Sequence, residues 1–299
     1  MPKVELAIHS GHQDIQLDEV RQMWREFDEG GIDMISVWDH MYESPYKDGS
    51  SPTFEALTLL TALAVETKNC KVSCLCFGMA YRSPSLLAKA LTTIDHLSNG
   101  RLIVGIGAGW HVPEHEAFGF DFPEVKERLD RLSEGTRILR AMLNGPNERT
   151  TFNGKYYRVN NIANYPRPVQ AHVPIIVGGG GEKRTMAIAA RYGDGTNQGY
   201  MNADRYAEKN KVADEWCEKL GRDPKSLERS TLLHWRIFTR PRPESPVVPG
   251  SLYGEPQQVI DQIGEYIDAG SQRISLAIRP PLDWDAIHSF IEDVVPIFK

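Results

Sequence analysis

The sequence predicts an α/β fold, a (β/α)8 TIM barrel, on three observations. Short strand-like apolar runs alternate with longer helix-like stretches along the chain, the pattern of βαβ units rather than of separate helical and sheet blocks. Eight such units can be counted, and every strand candidate is followed by a helix candidate. The length of 299 residues suits a single barrel, for which roughly 250 residues is typical. A doubly wound open sheet is the competing arrangement. One barrel domain spanning residues 1–299 is therefore expected.

In chain order, the strand candidates are residues 4–9, 34–38, 71–77, 102–108, 174–177, 195–198, 231–238 and 273–278. Helical patterns fall at 17–30, 53–67, 84–97, 124–143, 182–192, 202–220, 255–269 and 283–295. Two insertions depart from the minimal repeat. The first follows the fourth helix, at 144–172, where Asn153-Gly154 between aromatic-rich runs predicts a hairpin turn. The second follows the seventh strand and runs from Thr239 to Gly254; its prolines predict irregular chain that covers the mouth of a pocket.

Composition bounds the function. A hydrophobic share of 41% with 25% charged residues is that of a globular domain with a sizeable core. The net charge of −6 and the absence of a basic block give no support to a nucleic-acid or membrane-surface partner. No signal-like leader and no run of about 18 apolar residues is present, so a cytoplasmic location is expected. Cys70, Cys74, Cys76 and Cys217 lack paired metal-ligand spacing and read as reduced, mostly buried thiols. No metal is assigned.

The segment Ile175-Ile176-Val177-Gly178-Gly179-Gly180-Gly181-Glu182-Lys183 runs from an apolar strand through four glycines into a helix. Glycine lets a backbone approach an anion closely, and the first N–H groups of a helix have no partner within it, so a phosphorylated cofactor is the natural guest. The same glycines also suit a plain strand-to-helix connection. In a barrel, reactive groups gather where the strands end. There the sequence places His9, then Asp39-His40, Tyr81-Arg82, and Gly109-Trp110-His111. Asp39-His40 is the acid/base candidate, because an unperturbed histidine titrates near neutrality. Asp39, adjacent on a strand end, can equally orient a different group. Glu114-His115-Glu116 reads as a polar loop or pocket wall. Trp110 breaks the dinucleotide fingerprint begun by Gly105-Ile106-Gly107, and Glu182-Lys183 replaces the ending of a phosphate-binding P-loop. No serine lies in a nucleophile-elbow setting.

Ser36-Val37-Trp38-Asp39-His40, Tyr81-Arg82-Ser83-Pro84, Leu97-Ser98-Asn99-Gly100-Arg101, Gly105-Ile106-Gly107-Ala108-Gly109-Trp110 and Pro166-Arg167-Pro168-Val169-Gln170, in this order, resemble the bacterial luciferase-like superfamily. The form Gly178-Gly179-Gly180-Gly181-Glu182-Lys183-Arg184-Thr185 resembles its coenzyme F420-dependent branch. The resemblance implies an oxidoreductase that transfers a hydride between F420 and a small organic substrate. It implies His40 beside the cofactor ring, with His9 and Gly109 in the same cofactor site. A cis peptide between Cys74 and Leu75 would back that ring, and Gly179, Gly180, Gly181, Glu182 and Lys183 would form the phosphate turn. It also implies a homodimer. Where sugar-phosphate dehydrogenases of this branch carry a glutamate, this chain has Trp110, which points to a less polar substrate. Two alternatives stay open: an FMN-dependent monooxygenase using reduced flavin and oxygen, and a flavin-binding protein without catalysis.

Overall fold

The computed structural model describes residues 3–44, 48–239 and 248–299. Its strands, in chain order, are β1 (Glu5–Ser10), β2 (Met34–Val37), β3 (Lys71–Gly78), β4 (Leu102–Gly107), β5 (Arg149–Asn153), β6 (Arg158–Ala163), β7 (Ile175–Gly178), β8 (Gly195–Gly199), β9 (Glu228–Ile237), β10 (Ser251–Gly254) and β11 (Arg273–Ile278). Eight of these close into a parallel ring in the order β1-β2-β3-β4-β7-β8-β9-β11, with β11 paired back to β1. The expected barrel is present, and its eight strands start and end within three residues of the segments read from the sequence.

The helices are α1 (Leu17–Glu29), α2 (Ala56–Glu66), α3 (Pro84–Leu97), α4 (Val112–Ala117), α5 (Val125–Asn144), α6 (Thr185–Tyr192), α7 (Ala203–Lys219), α8 (Pro256–Asp268) and α9 (Trp284–Ser289). Spacing decides how they dock. In α1 the buried residues Val20, Met23, Trp24 and Phe27 recur at helical intervals and form one face against the barrel. Side chains alternate across each strand. One set joins the helices in the main core, while Ala7, Met34, Leu75, Ile103 and Ile176 form a separate small cluster inside the ring.

The motif Leu97-Ser98-Asn99-Gly100-Arg101 acquires a physical role at the end of α3. Asn99 and Gly100 both take positive φ, which turns the chain sharply into β4. Arg101 then donates to the carbonyls of Ala64, Thr67, Cys70 and Ser98, satisfying the open C-terminal end of α2 and pinning it to the start of β3.

The structure corrects several expectations. The hairpin in the first insertion forms as expected, β5 pairing with β6 around Asn153-Gly154. In the second insertion, residues 240–247 lie outside the described residues, and so does most of the expected cover over the pocket. Its end is not irregular: past the last proline, Ser251–Gly254 forms β10, parallel to β9, with Leu252 fully buried. The helix expected from residue 182 starts at Thr185: the Glu182 carbonyl accepts from the Trp216 indole, and the Met186 N–H reaches back to the Gly181 carbonyl, so residues 182–184 form a turn. A short helix, α4, occupies the loop after β4 that reads as a polar turn.

Candidate active site

A cavity of about 700 Å³ opens at the C-terminal ends of the barrel strands. Its floor is the Leu75-Cys76 region of β3. One wall carries His9 and His40, the opposite wall carries Gly179, Gly180 and Gly181, and Gly109 with Trp110 line the side between them. Of the cofactor residues expected from the resemblance, His9, His40, Leu75, Gly109, Gly179, Gly180 and Gly181 thus line one cavity, whereas Glu182 and Lys183 lie beyond it on the outer side of the turn, where the chain leaves the rim for α6. Cys74 does not line it either: it points outward into the main core and is fully buried there. Strand alternation explains the difference between Cys74 and Leu75, and it breaks at Cys76, which lines the cavity beside Leu75. The cis peptide is likewise one residue further on, between Leu75 and Cys76 rather than Cys74 and Leu75. The β3–β4 register shifts between Cys74 and Phe77, at the same place.

His40 and Asp39 point to different partners. Asp39 is buried and accepts from the Gly78 N–H (2.8 Å) and from Arg82 (2.7 Å), tying the end of β2 to β3. Burial raises its carboxyl, against the pull of Arg82 and the Gly78 N–H. His40 instead meets Glu114, which lies 74 positions later on α4: its Nδ1 is 2.8 Å from Glu114 Oε1. Glu114 is fully buried and also receives the Tyr81 hydroxyl and the Met41 N–H (2.9 Å). Burial alone would raise its carboxyl, but the hydrogen bonds from His40, Tyr81 and Met41 prevail and hold it at about 2. Sequence reasoning missed this residue. Pro113-Glu114 at the start of a short helix was the available signal, and its partners lie far away in the chain.

Among the described residues, His40, His111 and Glu114 are the cluster whose ligand atoms could gather round a metal, all within 4.8 Å. Both carboxylate oxygens of Glu114 already accept protein donors, while the ring nitrogens of His111 are buried without a hydrogen-bond partner among the described residues. Trp110 stacks on His111 (5.1 Å between ring centroids) and meets His40 edge-on (5.3 Å), placing an apolar, half-exposed indole beside the histidine.

The glycine turn is held from behind. Lys209 of α7 donates to the Gly180 carbonyl (2.8 Å), and the Trp216 indole N–H donates to that of Glu182 (2.7 Å). The Glu182 side chain pairs with Lys209 and Arg205, on the outer side of the turn. The Gly179 N–H is taken by the Asn197 carbonyl. Among the described residues, the N–H groups of Gly180, Gly181, Glu182 and Lys183 find no protein acceptor. Gly179 needs to be glycine for its φ of 121°, whereas a Cβ at Gly180 would meet no protein atom within 4 Å. A row of free donors with open space in front of it is a site for an anion with several acceptor oxygens.

The remaining histidines near the strand ends are held neutral. Burial first, then neighbouring positive groups, depresses His9 to about 3, and burial does the same for His12. Their folded values lie below the ordinary 6.5, so below that pH the unfolded chain binds more protons and stability falls as pH drops towards 3. Glu114 acts in the same direction below its ordinary 4.5. Each histidine contributes a slope of about 1.4 kcal/mol per pH unit. Urea unfolding at pH 7 and pH 5 is expected to lose roughly 2–4 kcal/mol between the two, and equal stability at both would contradict the neutral assignment.

The chain is 36% identical over 169 residues to an F420-dependent glucose-6-phosphate dehydrogenase of Kineococcus radiotolerans, covering 56% of this chain and 48% of that protein. A Gordonia bronchialis protein of the same name is 29% identical over 225 residues, covering 73% of this chain and 63% of its own length. The chain therefore spans between about half and under two thirds of these curated relatives. Among solved structures, an F420-dependent secondary alcohol dehydrogenase superposes with a TM-score of 0.87 at 18% identity, over 99% of both chains. The monooxygenase RslO1 of Streptomyces bottropensis superposes with a TM-score of 0.78 at 19% identity, over 99% of this chain and 100% of its own. These likenesses show a shared fold. The family model for luciferase-like monooxygenases matches residues 3–244, and the chain belongs to that family.

Proposed function

We propose that the protein is an oxidoreductase that binds coenzyme F420 and passes a hydride between it and a small organic substrate. The observation that carries this reading is that one cavity is lined both by Gly180 and Gly181, whose N–H groups have no protein acceptor among the described residues, and by His40, in a chain whose relatives are named for F420. The residues fit such a group: free N–H donors for its phosphate, open space at Gly180, and a cavity of about 700 Å³ reaching to His40. When bound, F420 supplies a ring carbon that accepts or gives a hydride. The chain's own residues do the rest. The phosphate rests on the backbone N–H groups of Gly180 and Gly181, which line the cavity, and of Glu182 and Lys183, which follow just outside its lining. Leu75 and Cys76 support the ring from the floor, Gly109 and His9 bound it, and Trp38 and Trp110 help to exclude water. His40 takes or returns the proton that accompanies the hydride. Asp39 acts at one remove, holding the strand end that carries His40.

Lys183 is exposed and, among the described residues, in no ion pair, which favours the acidic tail of F420 over the shorter FMN. For the substrate, the indole of Trp110 beside His40 favours an alcohol or carbonyl on an apolar body. A sugar phosphate is less well served, since Arg279 is the single lysine or arginine lining the cavity among the described residues. An FMN-dependent monooxygenase is the second reading, favoured by the family's own description. It requires oxygen to be consumed with turnover, whereas the F420 reading requires turnover to proceed without oxygen.

Two variants divide the roles. His40→Ala is expected to lower turnover by about 10²–10⁴ while F420 affinity stays within a few-fold, and unchanged turnover would remove His40 from the chemistry. Gly180→Val is expected to weaken F420 binding without lowering the melting temperature, because the added side chain meets solvent rather than protein. Equal affinity for F420 would remove the turn from the site.

We also propose a homodimer, supported by the exposed apolar side chains of Leu86 and Leu97 on α3 and of Tyr165 and Val169 beside it. Sedimentation at micromolar concentration is expected to give about twice 33.7 kDa. A monomer there would contradict it.

A further inference from the structure

We infer that Glu114 is a positioning residue that fixes the ring proton of His40 on Nδ1, leaving Nε2 as the bare nitrogen available to substrate. The inference rests on the reading of His40 as the acid/base group. A neutral imidazole carries its proton on one nitrogen or the other, and only the bare one can accept a proton from an alcohol. Which form is present is decided by the partner of the other nitrogen.

The donors around Glu114 leave no choice. Oε1 faces His40 Nδ1 at 2.8 Å together with the Tyr81 hydroxyl. Oε2 faces two backbone N–H groups, those of Met41 at 2.9 Å and Tyr42 at 3.4 Å. His111 Nδ1 stands 3.7 Å from Oε2, too far for a hydrogen bond. Glu114 is fully buried, so water does not compete for its oxygens. An ionised carboxylate only accepts, and the carboxyl of Glu114 is held well below neutrality. His40 therefore donates from Nδ1. The donors come from two separate parts of the chain, the loops after β2 and β3, which fixes the ring's orientation as well as its proton.

The isosteric change Glu114→Gln turns this into a sharp test. The N–H groups of Met41 and Tyr42 can only donate, so they select the amide oxygen. The amide NH2 then faces His40 Nδ1 and the Tyr81 hydroxyl, and both must accept. A tyrosine hydroxyl can do so. His40 can do so only by moving its proton to Nε2, where it blocks the base. The substitution thus reverses the tautomer while leaving size and packing almost unchanged.

The experiment is long-range 1H–15N correlation NMR on histidine-labelled protein at pH 8 without cofactor, with the His40 ring identified by its loss in His40→Ala. The wild-type ring is expected to carry its proton on Nδ1 alone, and Glu114→Gln is expected to carry it on Nε2. Tyr81→Phe keeps the carboxylate and is expected to keep the wild-type tautomer. Turnover of Glu114→Gln is expected to fall by about 10² or more at unchanged F420 affinity. A wild-type ring protonated on Nε2, alone or with Nδ1, overturns the inference. So does a folded Glu114→Gln protein that retains Nδ1–H. Should Glu114→Gln fail to fold, the wild-type spectrum alone decides. Failure of wild-type protein to bind F420 is read separately by titration; it would remove the functional proposal and leave the tautomer result standing.

Discussion

The buried carboxylate of Glu114 is the interaction on which the site depends. An anion with no access to water is costly unless protein donors surround it, and here they come from His40 and Met41 after β2 and from Tyr81 after β3, while Glu114 itself sits on α4 after β4. One side chain thereby ties three strand-end loops together. The cost of breaking such a network falls on every member, since each lost donor leaves charge uncompensated in a low-dielectric setting. That rigidity is useful next to a group that must present one nitrogen in one direction.

The barrel supplies what the network cannot. Parallel closure places eight strand ends on one rim, and alternation along each strand sends Leu75 inward and Cys74 outward. The rim divides into two chemically distinct halves. On one, the carbonyls of the glycine turn are anchored to α7 through Lys209 and Trp216, so its N–H groups remain free. On the other, Trp110 and His111 stack on each other and both meet the His40 ring edge-on. The glycine turn and His40 thus lie on different parts of one cavity's rim, a layout suited to a long cofactor with an anionic end and a reactive ring.

Much of the fold was legible in the sequence because barrel strands are short apolar runs bounded by turn residues, and helices such as α1 repeat their buried residues at helical spacing. The hairpin announced itself through Asn153-Gly154. Contacts between distant segments were not legible. Nothing local marks Glu114 as the partner of a histidine 74 positions away, and its polar neighbours His115 and Glu116 disguise a buried residue as part of a solvated loop. Adjacency misled in the opposite sense: Asp39 stands next to His40 in the chain, yet strand-end geometry turns it to Arg82 and the Gly78 N–H. The strand β10 was hidden by the prolines before it, although Leu252 belongs to the core. The cis bond at Leu75-Cys76 has no local signature, and family resemblance located it one residue early.

The central claim joins the glycine cradle and His40 into one F420 site, and equilibrium titration of the protein with F420 and, separately, with FMN, followed by difference absorbance, tests it most directly. The account predicts saturable F420 binding in the micromolar range, with FMN at least about tenfold weaker because it lacks the acidic tail that Lys183 attracts. Tighter binding of FMN than of F420, or no saturable binding of F420, would contradict it.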